Sequence, residues 1–515
     1  MGRGRRFRPA SSAPARKESA IPDLPTWTRR DWVAMAVIAL GAAVVRVIAL
    51  ATPAGFVFDE IFYARIACRF VVDTARCGID QLVSGAHPPL GNWLIALGIR
   101  IFGYDEFGWR ITSAVAGTLG VALLYVLVRR LLASRVSHSA ATVGASAAAI
   151  LLATDFLDLV QSRVAMLDSF VTLFVIATVL GFVLDGNRRR GPGGEDLDAP
   201  RWLRLISLGR PWRLAAGIAL GSAVAVKWSG GYVAVGLILL LVAWEVAAAR
   251  GSGEAGGGRP AAFGRAFRRE VVPSLVLLGL VPLLVYLASY TGRVDGELLA
   301  LPWREGSAWR GILEHQLAML RFHTGLAGDH PYESAPWSWL LLKRPVAYSF
   351  ATEAGSYREI LAIGNPFTWW PGAAAMAAVA VRWVRSGRRL AQPEVVLVAA
   401  ALSTYVPWLI LSGSRSQVFI WYVLPTIPFL YAALGLLAAQ AWGSLTGRIG
   451  IGLAGVTLAA SFAFFFPVLT AGSLTSDGWR ARIWFSDCSR PGERTLTLPD
   501  DEISKGPPPS GWCWI

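Results

Sequence analysis

Two consecutive carboxylates, Asp59 and Glu60, stand inside the aromatic run Phe56-Val57-Phe58-Asp59-Glu60-Ile61-Phe62-Tyr63, just past the first long apolar stretch. Ionised groups are costly among phenylalanines, so the pair calls for a reason. Consecutive helical residues diverge by about 100°, and the two side chains cannot aim at one atom. One carboxylate is expected to act on a substrate while the other orients a neighbour or caps the helix; capping alone is the alternative. Cations recur further on at the ends of apolar stretches, at Arg110, Arg163 and Lys227, with Gln161 as a neutral donor nearby. A carboxylate that takes a proton, beside cations that hold an anion, is equipment for group transfer with an anionic leaving group. Each cation also has a plainer reading: Arg110 and Lys227 as residues snorkelling to headgroups, and Arg163 as a salt-bridge partner of Asp155, Asp158 or Asp168.

Between the acidic pair and Arg110 lies His87-Pro88-Pro89-Leu90-Gly91-Asn92-Trp93. The prolines fix an extended lead-in, and the apolar run after them is about half a membrane span, which suits a helix lying on the bilayer surface. The segment 291–365 adds His315, His323 and His330 together with Tyr332. Loop histidines either titrate near neutrality or serve as hydrogen-bonding and packing groups. Trp303, Trp309, Trp337 and Trp339 in the same segment are expected as headgroup anchors or as a wall for an acceptor peptide.

The elements that must carry these residues are membrane helices. Of 515 residues, 54% are hydrophobic and only 16% charged, a balance that no single water-soluble core can bury. The pattern predicts an all-α polytopic protein with eleven helices, at 32–51, 106–131, 141–157, 166–185, 212–227, 229–249, 271–290, 366–384, 394–412, 418–438 and 449–470. The net charge of +15 does not imply nucleic acid, because the basic residues are scattered in short segments between apolar runs. With the basic N-terminus inside, the tail and inside loops with their flanks hold 28 of the 49 Lys and Arg, which favours that orientation over its reverse. The expected organisation is a disordered cytoplasmic tail over 1–31, a catalytic membrane domain over 32–470 with external loops 52–105 and 291–365, and an extracytoplasmic tail over 471–515. The inside linkers 186–211 and 250–268, rich in Gly, Arg and Pro, read as disordered connectors. All four cysteines then fall outside, where disulfides form, and the local pairings are Cys68–Cys77 and Cys488–Cys513. No CxxC or His-rich spacing points to a metal, so none is expected.

The ordered blocks are specific in combination. Asp59-Glu60, His87-Pro88-Pro89-Leu90-Gly91 and Trp109-Arg110 resemble the first external loop and second helix of the protein O-mannosyltransferases. Gln161-Ser162-Arg163, Leu167-Asp168-Ser169, Ala225-Val226-Lys227-Trp228, Met319-Leu320-Arg321-Phe322-His323, His330-Pro331-Tyr332, Asn365-Pro366-Phe367 and Trp421-Tyr422-Val423-Leu424-Pro425 follow in the family's order. The resemblance covers about 30–470, and the short external loop 291–365 matches the compact bacterial form, of actinobacterial type. At Asn92 the family often carries Lys, a departure that removes a charge.

The resemblance implies a GT-C glycosyltransferase fold of family 39 with an amphipathic external-loop helix, in a bacterial cell membrane with the N-terminus cytoplasmic and the C-terminus extracytoplasmic. It implies an inverting transfer of mannose from polyprenyl-phosphate-mannose to Ser or Thr hydroxyls, with Asp59 as the base and Glu60 as its support. Arg110, Gln161, Arg163, Lys227 and His87 are then expected at the donor, and His323, His330, Tyr332 and Asp168 in acceptor or loop support. The lipid-linked sugar is substrate and no cofactor is expected. The expected partners are secreted or translocating acceptor proteins, met at the secretion translocon, and no nucleic acid. A rival within the class transfers a polyprenyl-phosphate pentose to lipid or polysaccharide; a remote one is a transporter or lipid flippase, which would place ionisable residues near mid-membrane.

Overall fold

The protein is described from a computed structural model covering residues 27–71, 74–78, 84–133, 135–190, 210–251, 272–294, 297–300, 308–326, 332–353, 355–387, 393–412 and 417–484. His330, Cys488, Cys513, most of both tails and most of the two linkers expected inside lie outside the described residues.

Helices stand at all eleven expected positions. They begin with α1 (Arg29–Val47), followed by the loop helices α2 (Glu60–Cys68), α3 (Thr74–Cys77) and α4 (Leu90–Phe102). Next come α5 (Glu106–Leu131), α6 (His138–Ala153), α7 (Phe156–Arg163), α8 (Leu167–Arg190), α9 (Pro211–Val226) and α10 (Tyr232–Gly251). Then α11 (Val272–Leu275) runs through a π turn into α12 (Val281–Ala288). After the loop helices α13 (Ala308–Gly325) and α14 (Pro336–Trp339), α15 (Pro366–Arg385), α16 (Pro393–Leu411), α17 (Ile427–Ala441), α18 (Leu445–Leu469) and the short α19 (Ser476–Arg480) complete the set. By length and apolarity five described segments can cross a membrane, namely Glu106–Leu131, Leu167–Gly186, Glu394–Leu411, Ile420–Ala441 and Leu445–Leu469, or six if the bent pair α6–α7 is one span. The remaining members are shorter or carry interior charges, such as Asp31 and Arg46 in α1.

The break between α6 and α7 illustrates how sequence sets these boundaries. Asp155 accepts the backbone N–H of Asp158 at 2.8 Å and so caps α7, while its other oxygen takes the Trp369 indole N–H at 2.7 Å and the Tyr431 hydroxyl at 2.5 Å. The chain bends by 56° there. Asp158 meets Arg46 of α1 at 2.5 Å, fixing α7 against the end of the first helix. Close crossing of α6 and α17 depends on glycine: a Cβ on Gly144 would lie 2.5 Å from the Gly435 carbonyl oxygen, so any side chain would push the helices apart.

The helical expectation misses two hairpins in the segment 291–365, expected as the second external loop: β1 (Thr291–Val294) with β2 (Glu297–Ala300), and β3 (Val346–Glu353) with β4 (Ser356–Ala362), both antiparallel. A register shift between Ala347 and Ser349 leaves Tyr348 at a bulge, a feature that re-aims a side chain. The start of the expected extracytoplasmic tail packs against this hairpin, with Leu474 bridging Tyr357 and the Trp479 indole donating to Glu359 at 2.6 Å. Cys68 and Cys77 form the expected disulfide, tying α2 to α3.

Candidate active site

Asp59 sits immediately before the first turn of α2, half-buried, in a turn whose preceding residue Phe58 has φ = 51°. A bulky residue in the left-handed region is strained, and strain of this kind persists where packing over-determines it. Here Phe58 stacks on the Tyr348 ring at 4.3 Å and meets Trp421 edge-on at 5.4 Å. The bulge at Tyr348 and the strained turn at Phe58 therefore hold each other, and both aim at the carboxylate.

Two elements bring charges to Asp59. Asp168 opens α8 and Lys227 ends α9, where the chain turns extended (φ −157°, ψ 133°). The Lys227 ammonium donates to both Asp168 oxygens at 3.0 Å and lies 4.4 Å from the centre of the Tyr422 ring. Asp59 accepts the Tyr63 hydroxyl, and Tyr63, Tyr348 and Tyr422 ring the two carboxylates. Burial raises the Asp59 pKa to about 6; Lys227 and Tyr63 oppose the rise and Asp168 adds to it. A carboxylate with that pKa, beside a cation and open enough to meet a substrate, suits general-base work near neutrality.

Glu60 is turned away and fully buried. Arg110, on the first turn of α5, chelates it with Nε to Oε1 at 2.8 Å and Nη2 to Oε2 at 2.9 Å, and the carboxylate also accepts the N–H groups of Val57 and Ala165 at 2.8 Å each. Arg110 spends its remaining donors on the carbonyls of Leu50, Pro53 and Gly55. The expectation that Arg110 holds a lipid phosphate is corrected here: its guanidinium is buried and consumed by the loop that carries Asp59. Arg163 is corrected in the same way. It donates to the carbonyls of Val45, Arg46, Ile48 and Ala49, satisfying the C-terminal end of α1, and pairs with none of Asp155, Asp158 and Asp168.

Gln161 donates to the Tyr348 hydroxyl at 2.5 Å, steadying the bulge rather than standing free for the donor. His87 is buried, its ring 6.0 Å from Tyr63 and 5.7 Å from His323. The amphipathic α13 clamps the loop before it: His315 Nε2 donates to the Ser84 carbonyl at 2.9 Å and His323 Nε2 to the Ala86 carbonyl at 2.8 Å. Asn92 donates to the Tyr63 carbonyl at 3.1 Å, a neutral tie between α4 and α2. Tyr332 is buried near Glu359, beneath the β3–β4 hairpin. Of the expected residues, then, Asp59, Asp168 and Lys227 meet at one place, while Glu60, Arg110, Gln161 and His323 build the walls. Tyr63 and Tyr422 carry no sequence signal beyond standing in the aromatic blocks, and Tyr348 stands in none of them. Among the described residues no group of three His, Cys, Asp or Glu could hold a metal ion.

Comparison with known proteins decides the family. Residues 36–291 match the profile described as dolichyl-phosphate-mannose-protein mannosyltransferase, and residues 308–488 match the C-terminal four-transmembrane region of protein-O-mannosyltransferase. A polyprenol-phosphate-mannose–protein mannosyltransferase of Mycobacterium tuberculosis is 32% identical over 88% of this chain and 91% of its own length. The chain belongs to the protein O-mannosyltransferase family. The Corynebacterium glutamicum protein of the same name is 29% identical, over 89% of this chain and 94% of its own. Its fold is GT-C: the Saccharomyces cerevisiae Pmt1–Pmt2 complex bound to its sugar donor superimposes with a TM-score of 0.65 over 90% of this chain and 93% of that one, at 16% identity.

Proposed function

We propose that this protein O-mannosyltransferase moves mannose from polyprenyl-phosphate-mannose to Ser or Thr hydroxyls of proteins on the extracytoplasmic face of a bacterial membrane, with Asp59 as the base. The observation that carries the reading is the half-buried Asp59 carboxylate, its pKa raised to about 6, beside the Lys227 ammonium in a member of this family. No nucleotide sugar is available outside a cell, so a donor used there has crossed on a lipid, and its reactive bond lies at the headgroup plane.

Asp59 takes the hydroxyl proton while the hydroxyl oxygen forms a bond to the anomeric carbon. The bond from that carbon to the phosphate oxygen breaks, and the lipid phosphate leaves with the electron pair. Phosphate is a good leaving group and needs no proton, but its growing charge must be met. Lys227 is the cation in position, held by Asp168 and Tyr422. One displacement inverts the anomeric centre, the one-base logic also used by inverting glycosidases. Glu60, Arg110 and Arg163 contribute by fixing the loop that presents Asp59. Acceptors are met as they emerge from the secretion translocon. Family membership favours this reading over pentose transfer to lipid and over transport.

Membranes carrying the wild type or Asp59→Asn, given labelled polyprenyl-phosphate-mannose and a Ser/Thr-rich peptide, test the proposal. Label passes to the peptide with the wild type and almost none with the variant at equal expression. Full activity in Asp59→Asn removes the base, and wild-type label passing to a lipid other than the donor, with none in the peptide, favours the rival that modifies lipid.

A further inference from the structure

A cleft of about 650 Å³ opens between the disulfide-closed α2–α3 segment and the end of α4, lined by Val71, Arg76, Ile99, Arg100, Gly103 and Tyr104. It shares no residue with the cluster around Asp59. Two exposed arginines converge on it and no carboxylate lines it. Among the described residues neither Arg76 nor Arg100 forms an ion pair, in contrast to the buried Arg46, Arg110, Arg129 and Arg213. A third cation, Arg65, lies close by, its guanidinium 5.1 Å from the centre of the Phe56 ring and near enough to act on the Tyr104 hydroxyl. Of the acids that follow the cleft in sequence, Glu106 accepts the Gly55 N–H and Asp105 the Gly108 N–H, each at 2.7 Å, while the second Asp105 oxygen stands beside Gly103 at the rim and pairs with neither arginine.

The surroundings of the cleft identify its ligand. From Leu97 to Phe102, α4 exposes Leu97, Ile101 and Phe102 at 49–62% of their surface, alongside Arg100. Phe102 meets only the edge of the Phe107 ring, and such half-exposed apolar side chains next to cations that find no carboxylate describe a helix seated at the boundary between acyl chains and headgroups. A free inorganic anion would use the arginines and leave the stripe bare. An anionic lipid uses both, because guanidinium forks match the geometry of a phosphodiester and the stripe meets the chains.

We propose that this cleft binds the phosphodiester headgroup of an anionic glycerophospholipid, with Arg76 and Arg100 on the phosphate and the acyl chains along Leu97, Ile101 and Phe102. The bound lipid anchors the external loop that carries Asp59, at a place distinct from the transfer site.

The full-length protein in phosphatidylcholine nanodiscs, with or without phosphatidylglycerol, tests this without recourse to activity. The wild type is expected to enrich phosphatidylglycerol over phosphatidylcholine in the lipid that stays bound, read by mass spectrometry, and to melt higher in the mixed discs. Each of Arg76→Gln and Arg100→Gln lowers that enrichment about fivefold, the weight of one basic residue near an anionic surface. Ile101→Ser lowers it with both arginines in place, and Arg321→Gln, exposed on α13, leaves it unchanged. Equal enrichment in the arginine variants and the wild type, or none in the wild type, overturns the site. So does inorganic phosphate reproducing the thermal shift in pure phosphatidylcholine, which would mark a free-anion site instead.

Discussion

Glu60 and Arg110 meet in a forked ion pair with both side chains withdrawn from solvent, at 2.8 Å and 2.9 Å. Of two acids adjacent in sequence, one is thereby committed to the scaffold, and its neighbour Asp59 is left at the mouth of the site. The same arginine gathers the carbonyls of Leu50, Pro53 and Gly55, so a single guanidinium shapes the turn between α1 and α2.

Removing Arg110 therefore acts on folding before it acts on donor use. Arg110→Ala leaves the Glu60 carboxylate buried without its partner and should cost roughly 3–5 kcal/mol of stability. The thermal midpoint of the detergent-solubilised variant reads that loss, and adding Glu60→Gln should restore part of it. An unchanged midpoint with a raised KM for the lipid donor would return Arg110 to the phosphate.

Lys227 should behave differently. It is paired with Asp168 at 3.0 Å and faces Tyr422, and in the proposed transfer it is the cation that meets the departing phosphate. Lys227→Gln is expected to lower kcat by about 10²–10³, the usual effect of deleting one preorganised donor to a developing anion. Transfer assays at varied donor and acceptor should show the donor KM rising as well. A change confined to the acceptor KM would contradict the role.

What the sequence discloses follows from how local each feature is. The helix positions rest on runs of apolar residues, and the divergence of Asp59 and Glu60 rests on helical geometry, so both were legible. Cys68 and Cys77 are nine residues apart, and their pairing needed only an oxidising side. Arg110 and Arg163 were misread because seven of their hydrogen bonds go to backbone carbonyls, which carry no residue signature. Tyr348 was invisible as a site residue because it arrives by a strand bulge, 187 positions beyond the Gln161 that holds it.

The pH profile gives a third prediction. A general base works only as the carboxylate, and burial lifts the Asp59 pKa from 3.8 to about 6. Transfer should then fall off in acid with a midpoint near 6 in the enzyme without bound substrate, read as kcat/KM. Asp168→Asn removes a like charge and frees Lys227 to act on Asp59, and both changes move the acid limb to lower pH. A limb that stays in place in Asp168→Asn would assign it to another group.

Glu359 supplies a stability counterpart. It sits fully buried on β4, one oxygen accepting the Trp479 indole N–H, and burial raises its pKa from 4.5 to about 8 while Trp479 opposes the rise. Over that window the folded protein holds a proton that the unfolded chain has released, so stability is greatest on the acid side and declines as pH rises toward 8. Above about 8 both states are ionised and the slope ends. Glu359→Gln stays neutral and should remove this part of the decline in thermal midpoint, while Trp479→Phe, which takes away the donor that favours the charged form, should carry the decline to higher pH at the same slope. Because the strand that carries Glu359 pairs with the one presenting Tyr348 to Asp59, loss of activity at alkaline pH is expected to track the loss of stability in the wild type and to weaken in Glu359→Gln.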